Sequence, residues 1–243
     1  MRKFGKEIAS LRLGCALTVA LVLSGCDQKN EPQTGAGNAP AVASNAAPAS
    51  IPMGGNKSVT RFFVTSKGSG KGGDLGGLAG ADAHCQALAQ AQGAGDHTWR
   101  AYLSTEATDT TPAVNARDRI GGGPWYNSEG DLIAQHLAAL HGAMSKLGKE
   151  TAATEPADQV NAERHEILTG SRPDGAAFPR GAQRNCGNWT SSGAGSAQVG
   201  YFDRAGPGEN PNSWNSARAT NGCSEEALQM SGGGGLFYCF ATD

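Results

Sequence analysis

Leu75–Thr105 reads LGGLAGADAHCQALAQAQGAGDHTWRAYLST. Ala81, Cys85, Leu88, Ala89 and Gln92 recur at spacings of three and four, which predicts a helix from Ala79 with Cys85 on its inward face. Gly93 and Gly95 stop it. The alternating, aromatic Thr98–Ser104 (TWRAYLS) predicts a strand directly afterwards. A helix is thus delivered straight onto a strand, and it carries a cysteine into whatever it packs against.

Upstream, Val59–Thr65 (VTRFFVT) is β-branched and aromatic and predicts a first strand. The Gly-rich residues 67–77 (KGSGKGGDLGG) lack both the Walker spacing and the strand-to-helix setting of a dinucleotide fingerprint, so they read as a mobile loop. Downstream, Asn115–Asn127 leads into an expected second helix, Glu129 to about Leu147. Its apolar stripe would be Leu132, Ile133, His136, Leu137, Leu140 and Met144. Gly148–Arg164, polar and Ala-rich, reads as a loop or insert.

The N-terminus is a targeting device. Arg2, Lys3, Lys6 and Arg12 precede Leu13–Leu23, an apolar run too short for a bilayer span of about 20 residues but suited to a secretory signal. The following Leu23-Ser24-Gly25-Cys26 resembles the lipobox of bacterial lipoproteins. That resemblance implies cleavage after residue 25, acylation of Cys26 and a membrane anchor made of several acyl chains. Asp27 resembles the inner-membrane retention signal of some Gram-negative lipoproteins. Residues 26–58 then hold the acylated cysteine and an Ala/Pro/Asn/Gly tether with too few large apolar side chains to offset chain entropy. The expected location is the bacterial cell envelope, lipid-anchored and extracytoplasmic, periplasmic or surface. Disulfides persist there.

The Leu75–Thr105 block is similar to the helix and strand of endostatin, the C-terminal domain of collagens XV and XVIII and a variant of the C-type-lectin-like fold. Ile167–Gly175 (ILTGSRPDG), Cys186–Thr190 (CGNWT), Cys223 and the LFYCF around Cys239 follow in the same order, so the similarity spans most of residues 59–243. It implies an α+β domain at residues 59–243, with two helices packed on antiparallel sheets and the N- and C-terminal strands adjacent.

Of six cysteines, Cys15 lies in the signal and Cys26 in the lipobox, which leaves Cys85, Cys186, Cys223 and Cys239. Four cysteines allow three connectivities. The resemblance nests them: Cys85 with Cys239 and Cys186 with Cys223. Intervals of 100, 36 and 15 residues with no CxxC pair argue against a structural zinc site. Paired cysteines leave no thiolate for a Cys-His nucleophile, nor for the reactive-cysteine chemistry of the formylglycine-generating enzymes, which share the broad fold.

Beyond residues 1–25 the chain has 16 basic and 21 acidic residues, a net of -5 without a Lys/Arg run, which argues against nucleic acid and heparin-like polyanions. Tyr201–Asn221 lies where C-type-lectin-like domains carry their long loop with calcium and sugar ligands. There Glu209-Asn210-Pro211-Asn212 resembles the Glu-Pro-Asn motif with one residue inserted, and Trp214-Asn215-Ser216 resembles Trp-Asn-Asp with serine replacing aspartate. The candidate ligand-binding residues are therefore Asp203, Glu209, Asn210, Asn212, Trp214 and Asn215. Asp203, Glu209, Asn212 and Asn215 are the calcium candidates, although the missing aspartate weakens that site. The same residues also read as a polar loop with Trp214 in the core, and this plainer reading takes precedence.

Asp118 and Arg119 read as a surface ion pair or turn element, and Trp125 and Tyr126 as packing residues before sugar-stacking ones. His136 and His141, five apart, miss the spacing of a helical metal pair, and Asn188-Trp189-Thr190 matches a glycosylation acceptor without meaning in this setting. Endostatin's zinc-binding histidines have no counterpart. The expected function is a non-catalytic, membrane-tethered recognition module binding a glycan or an envelope protein. A structural lipoprotein is the alternative, and an envelope hydrolase comes third, because no nucleophile-base set is legible.

Overall fold

The computed structural model describes residues 57–243. The signal segment 1–25, Cys26 and most of the tether lie outside the described residues. In chain order the elements are β1 (Phe62–Val64), α1 (Gly77–Ala91), β2 (Trp99–Ala101), β3 (Trp125–Tyr126), β4 (Leu132–Ala134), α2 (Leu137–Leu140), β5 (Glu166–Leu168), α3 (Cys186–Trp189), β6 (Gln198–Tyr201), β7 (Arg218–Ala219), α4 (Glu225–Ser231) and β8 (Tyr238–Ala241). The domain is α+β, with antiparallel sheets ordered β1-β8-β2, β3-β4 and β5-β6-β7.

The terminal sheet is the frame. β8 lies between β1 and β2, with Phe63 opposite Cys239 on one side and Ala101 opposite Cys239 on the other. Successive strand residues point to opposite faces. One face therefore sends Phe63, Trp99, Ala101 and Cys239 into a core with α1, while the other sends Phe62, Val64, Tyr238 and Phe240 into a second core with Tyr102, Trp125 and Trp214. With both faces covered, the strands are apolar almost throughout.

The structure joins Cys85 to Cys239 and Cys186 to Cys223. The first bridge ties α1 to β8, and the second encloses the chain from α3 to just before α4. Such bridges fit an oxidising compartment. No helix among the described residues is long and apolar enough to cross a membrane.

The expected helix over Glu129–Leu147 is not formed. Asn127 folds a tight turn there: its Oδ1 accepts the N–H groups of Glu129 and Asp131 at 3.0 and 2.7 Å, and Gly130 takes a φ of 89°. The chain reverses, β4 pairs with β3, and only Leu137–Leu140 is helical, capped by His136 Nδ1 accepting from Ala139 N–H at 3.1 Å. Met144, placed on the expected stripe, is 65% exposed. The apolar spacing of 132–144 suits a strand followed by one helical turn as well as a continuous helix, and a side chain competing for backbone N–H groups decided between them.

The Gly-rich loop is pinned under the second bridge. Gly73 N–H donates to the Cys223 carbonyl at 2.8 Å, and a Cβ at Gly73 would lie 2.6 Å from Cys186 Sγ. Glycine here serves close approach.

Arg119 does not pair with its neighbour Asp118. Its guanidinium spans both oxygens of Asp82 on α1 at 2.7 and 2.8 Å, and both side chains are 10% exposed. Asp82 also accepts from Ala101 N–H and from Arg100. Trp125 is wholly buried, with Nε1 donating to the Ala241 carbonyl.

Candidate functional site

The Tyr201–Asn221 loop does not gather its polar groups around a common centre. Trp214 packs against Tyr102, His141 and Tyr238 in the second core. Asn215, 1% exposed, donates from Nδ2 to Tyr102 Oη at 3.0 Å and to the Arg172 and Pro173 carbonyls, while its Oδ1 accepts from Ser213. Asp203 faces His165 at 3.2 Å and accepts from Ala205 N–H. Asn210 donates to the Ser216 carbonyl, and Glu209 and Asn212 stand exposed. The cause is the packing of residues 213–217 over β6: Tyr201 and Ala217 N–H groups bond across to Ser213 and Val199 carbonyls, and a Cβ on Gly200 would fall 1.7 Å from the Trp214 carbonyl oxygen. Trp214 and Asn215 are therefore core and cross-link residues, not paired ligand donors. Among the described residues no three His, Cys, Asp or Glu side chains are grouped to hold a metal ion.

Asn215 belongs to a buried chain of hydrogen bonds behind a cleft of about 450 Å³ lined by Arg117, Leu137, His141, Pro173 and Asp174. Tyr102 Oη sits 2.7 Å from His141 Nε2, and His141 Nδ1 sits 3.0 Å from the Leu137 carbonyl. A carbonyl can only accept, so Nδ1 carries the proton and Nε2 accepts from Tyr102. Both ring nitrogens are thus engaged within the protein. Burial, foremost, holds the His141 pKa below its usual value and drives that of Tyr102 far up; nearby Arg117 lowers His141 further, while the Leu137 carbonyl and Asp174 oppose. Asp174 lies low because the Ala176 N–H and the guanidinium groups of Arg172 and Arg117 outweigh its desolvation.

The unfolded chain takes up a proton on this histidine near pH 6.5, while the folded ring resists until lower pH, so stability is lost as pH falls below about 6.5. His141→Gln is expected to flatten the fall in thermal midpoint between pH 7.5 and 5. An identical pH slope in wild type and variant would show that the ring does not carry it.

A second cleft, about 430 Å³, opens between the segments 106–108 and 181–196. Its wall is α3, and α3 is left-handed: Cys186, Gly187, Asn188 and Trp189 have φ of 50°, 63°, 56° and 66°. Trp189 N–H reaches the Asn185 carbonyl at 2.8 Å and Thr190 N–H that of Cys186 at 3.2 Å, closing a left-handed turn. Each non-glycine residue in this conformation costs about 1–2 kcal/mol, and Asn tolerates it best.

The surroundings enforce it. Cys186 is held by Cys223, and Trp189 Nε1 donates to the Ser104 carbonyl at 2.9 Å. Asn188 pairs reciprocally with the Glu106 backbone, accepting its N–H at 2.9 Å and donating to its carbonyl at 3.1 Å, and Asn185 Nδ2 adds a third bond. Glu106, 8% exposed, turns its carboxylate to the opposite wall, where Gly181 and Arg184 N–H groups donate at 2.9 and 3.0 Å. One residue thus clamps both sides of the cleft. Strain held by so many contacts concentrates at binding sites.

The sequence offered one signal for this site, Gly187-Asn188, the pair that best accepts left-handed backbone. Glu106 offered none, since its partners lie some 75–82 residues away. Neither a protein-family model nor a curated protein matches this chain.

Proposed function

We propose that this chain is a lipid-anchored, non-catalytic recognition module of a bacterial envelope, built on a C-type-lectin-like, endostatin-like domain and binding a glycan or an envelope protein. The observation that carries the reading is the nested pair of bridges: Cys85 in the first long helix joins Cys239 on the central strand of the terminal sheet, while Cys186–Cys223 encloses a polar surface segment. That arrangement is the one the endostatin resemblance implies. The lipobox at Leu23–Cys26 supports the anchor, and two bridges support an extracytoplasmic site. Calcium is not required by this reading, because the loop residues that would supply oxygens are dispersed or committed to the core.

The full chain is expected to incorporate labelled fatty acid, and Cys26→Ser to abolish that incorporation. Displayed on a glycan array and, separately, on an envelope-protein panel, it is expected to bind at least one class with or without calcium. Binding to neither would favour a purely structural lipoprotein.

A further inference from the structure

We infer that the cleft between residues 106–108 and 181–196 is the ligand site of this module and that its ligand is a neutral, hydroxyl-rich saccharide. The inference rests on the recognition reading above and adds the site and the ligand chemistry to it.

The lining sets the chemistry. Thr108, Gln183, Ser191 and Ser196 present hydroxyl and carboxamide groups, the carboxamides of Asn185 and Asn188 are spent within the turn and on the Glu106 backbone, and Glu106 is the one charged residue in the lining. Its two oxygens already accept from Gly181 and Arg184, so the carboxylate acts as a scaffold and not as a counter-charge for a cation. No basic side chain lines the cleft to attract a phosphate, sulfate or uronate. Arg184, the nearest base in sequence, is directed to the Phe178 ring, 6.0 Å from its centroid. No large apolar or aromatic side chain lines it either, which disfavours a lipid or an apolar cofactor. Hydroxyl and amide groups that both donate and accept match the same capacity in sugar hydroxyls.

The walls come from loops and the left-handed turn, not from an open strand edge onto which a peptide could add. The volume falls within the range of about 300–1,000 Å³ typical of small-ligand sites. The cleft is also rigid. Glu106, Asn188, Trp189 and the Cys186–Cys223 bridge fix both walls before any ligand arrives, so little ordering cost remains at binding.

The test titrates the full chain, purified in detergent, with chitotriose, maltotriose and cellotriose as neutral probes and trigalacturonate as the charged one, by calorimetry. At least one neutral trisaccharide is expected to bind saturably at one site. Ala194→Arg, which places a bulky cation in the exposed mouth of the cleft, is expected to weaken it at least tenfold. Asn188→Gly keeps the left-handed backbone accessible while removing the bonds to Glu106, and should weaken binding in the same direction. Asn212→Ala, in the other loop, should leave affinity unchanged.

Saccharide binding that survives Ala194→Arg but is lost in Asn212→Ala would overturn the cleft assignment and leave the recognition reading standing. Binding of trigalacturonate alone would overturn the neutral class. Binding of an envelope protein and of none of the four saccharides would overturn the inference but not the reading, whereas binding of neither would overturn both. Unchanged far-ultraviolet circular dichroism and intact non-reducing mobility guard against misfolded variants.

Discussion

Asp82→Ala is expected to destabilise the domain by about 3–5 kcal/mol, the cost of removing one partner from a buried ion pair. The midpoint of thermal unfolding should fall by about 10 °C for a domain of this size. Three donors make four contacts with this carboxylate: the Ala101 N–H of β2, Arg100, and Arg119 Nη2, which reaches both oxygens. Arg119 also donates to the Ala101 carbonyl. Removing the carboxylate leaves a guanidinium with little solvent access and an unpaired strand N–H, and it loosens α1 from the strand it covers. Because the pair is desolvated, the loss should change little with salt. Pairing Asp82→Leu with Arg119→Met should recover most of it, since apolar replacements of a whole buried pair are often neutral. Equilibrium urea unfolding checks both; a single-variant loss under 1 kcal/mol would mean that the cluster is solvent-compensated.

The Cys85→Ala/Cys239→Ala double variant is expected to lose about 2–5 kcal/mol. The bridge spans 154 residues, so its removal returns nearly the whole domain's loop-closure entropy to the unfolded chain. Both cysteines are wholly buried and are packed among Phe63, Trp99 and Phe237, so the truncation also removes core contacts. The companion double variant at Cys186 and Cys223, whose separation is 37, should cost less in chain entropy but should release the left-handed turn. The two changes therefore separate: the first lowers the unfolding midpoint, while the second weakens saccharide binding more than it lowers stability. Equal effects on both readouts from both pairs would refute that division.

Local pattern made the frame legible. Thr98–Ser104 alternates and contains β2, the β-branched and aromatic Val59–Thr65 contains β1, and the three-and-four spacing from Ala81 contains α1, whose one buried face imposes its period directly on the residues. The nested bridges followed from ordered similarity and not from cysteine count, which allows three pairings. The segment 129–147 misled because its apolar spacing fits two local structures, and Asn127 made the choice through bonds to backbone. β6 (QVGY) carries no alternation, being buried on all four residues with the 213–217 segment laid against it.

The cleft belongs to the other category. Asn188 acquires its role only when residue 106 arrives from 82 positions away, and Glu106 becomes a clamp only when residues 181 and 184 fold over its carboxylate. By itself the sequence determined the helix-to-strand unit at Leu75–Thr105 and the cysteines available for crosslinking, because each is written in neighbouring residues. Only the tertiary structure decided which polar side chains are consumed by the core, as Trp214 and Asn215 are in their different ways, and which remain facing solvent around a cleft. That outcome depends on contacts between distant segments, and no local period encodes them.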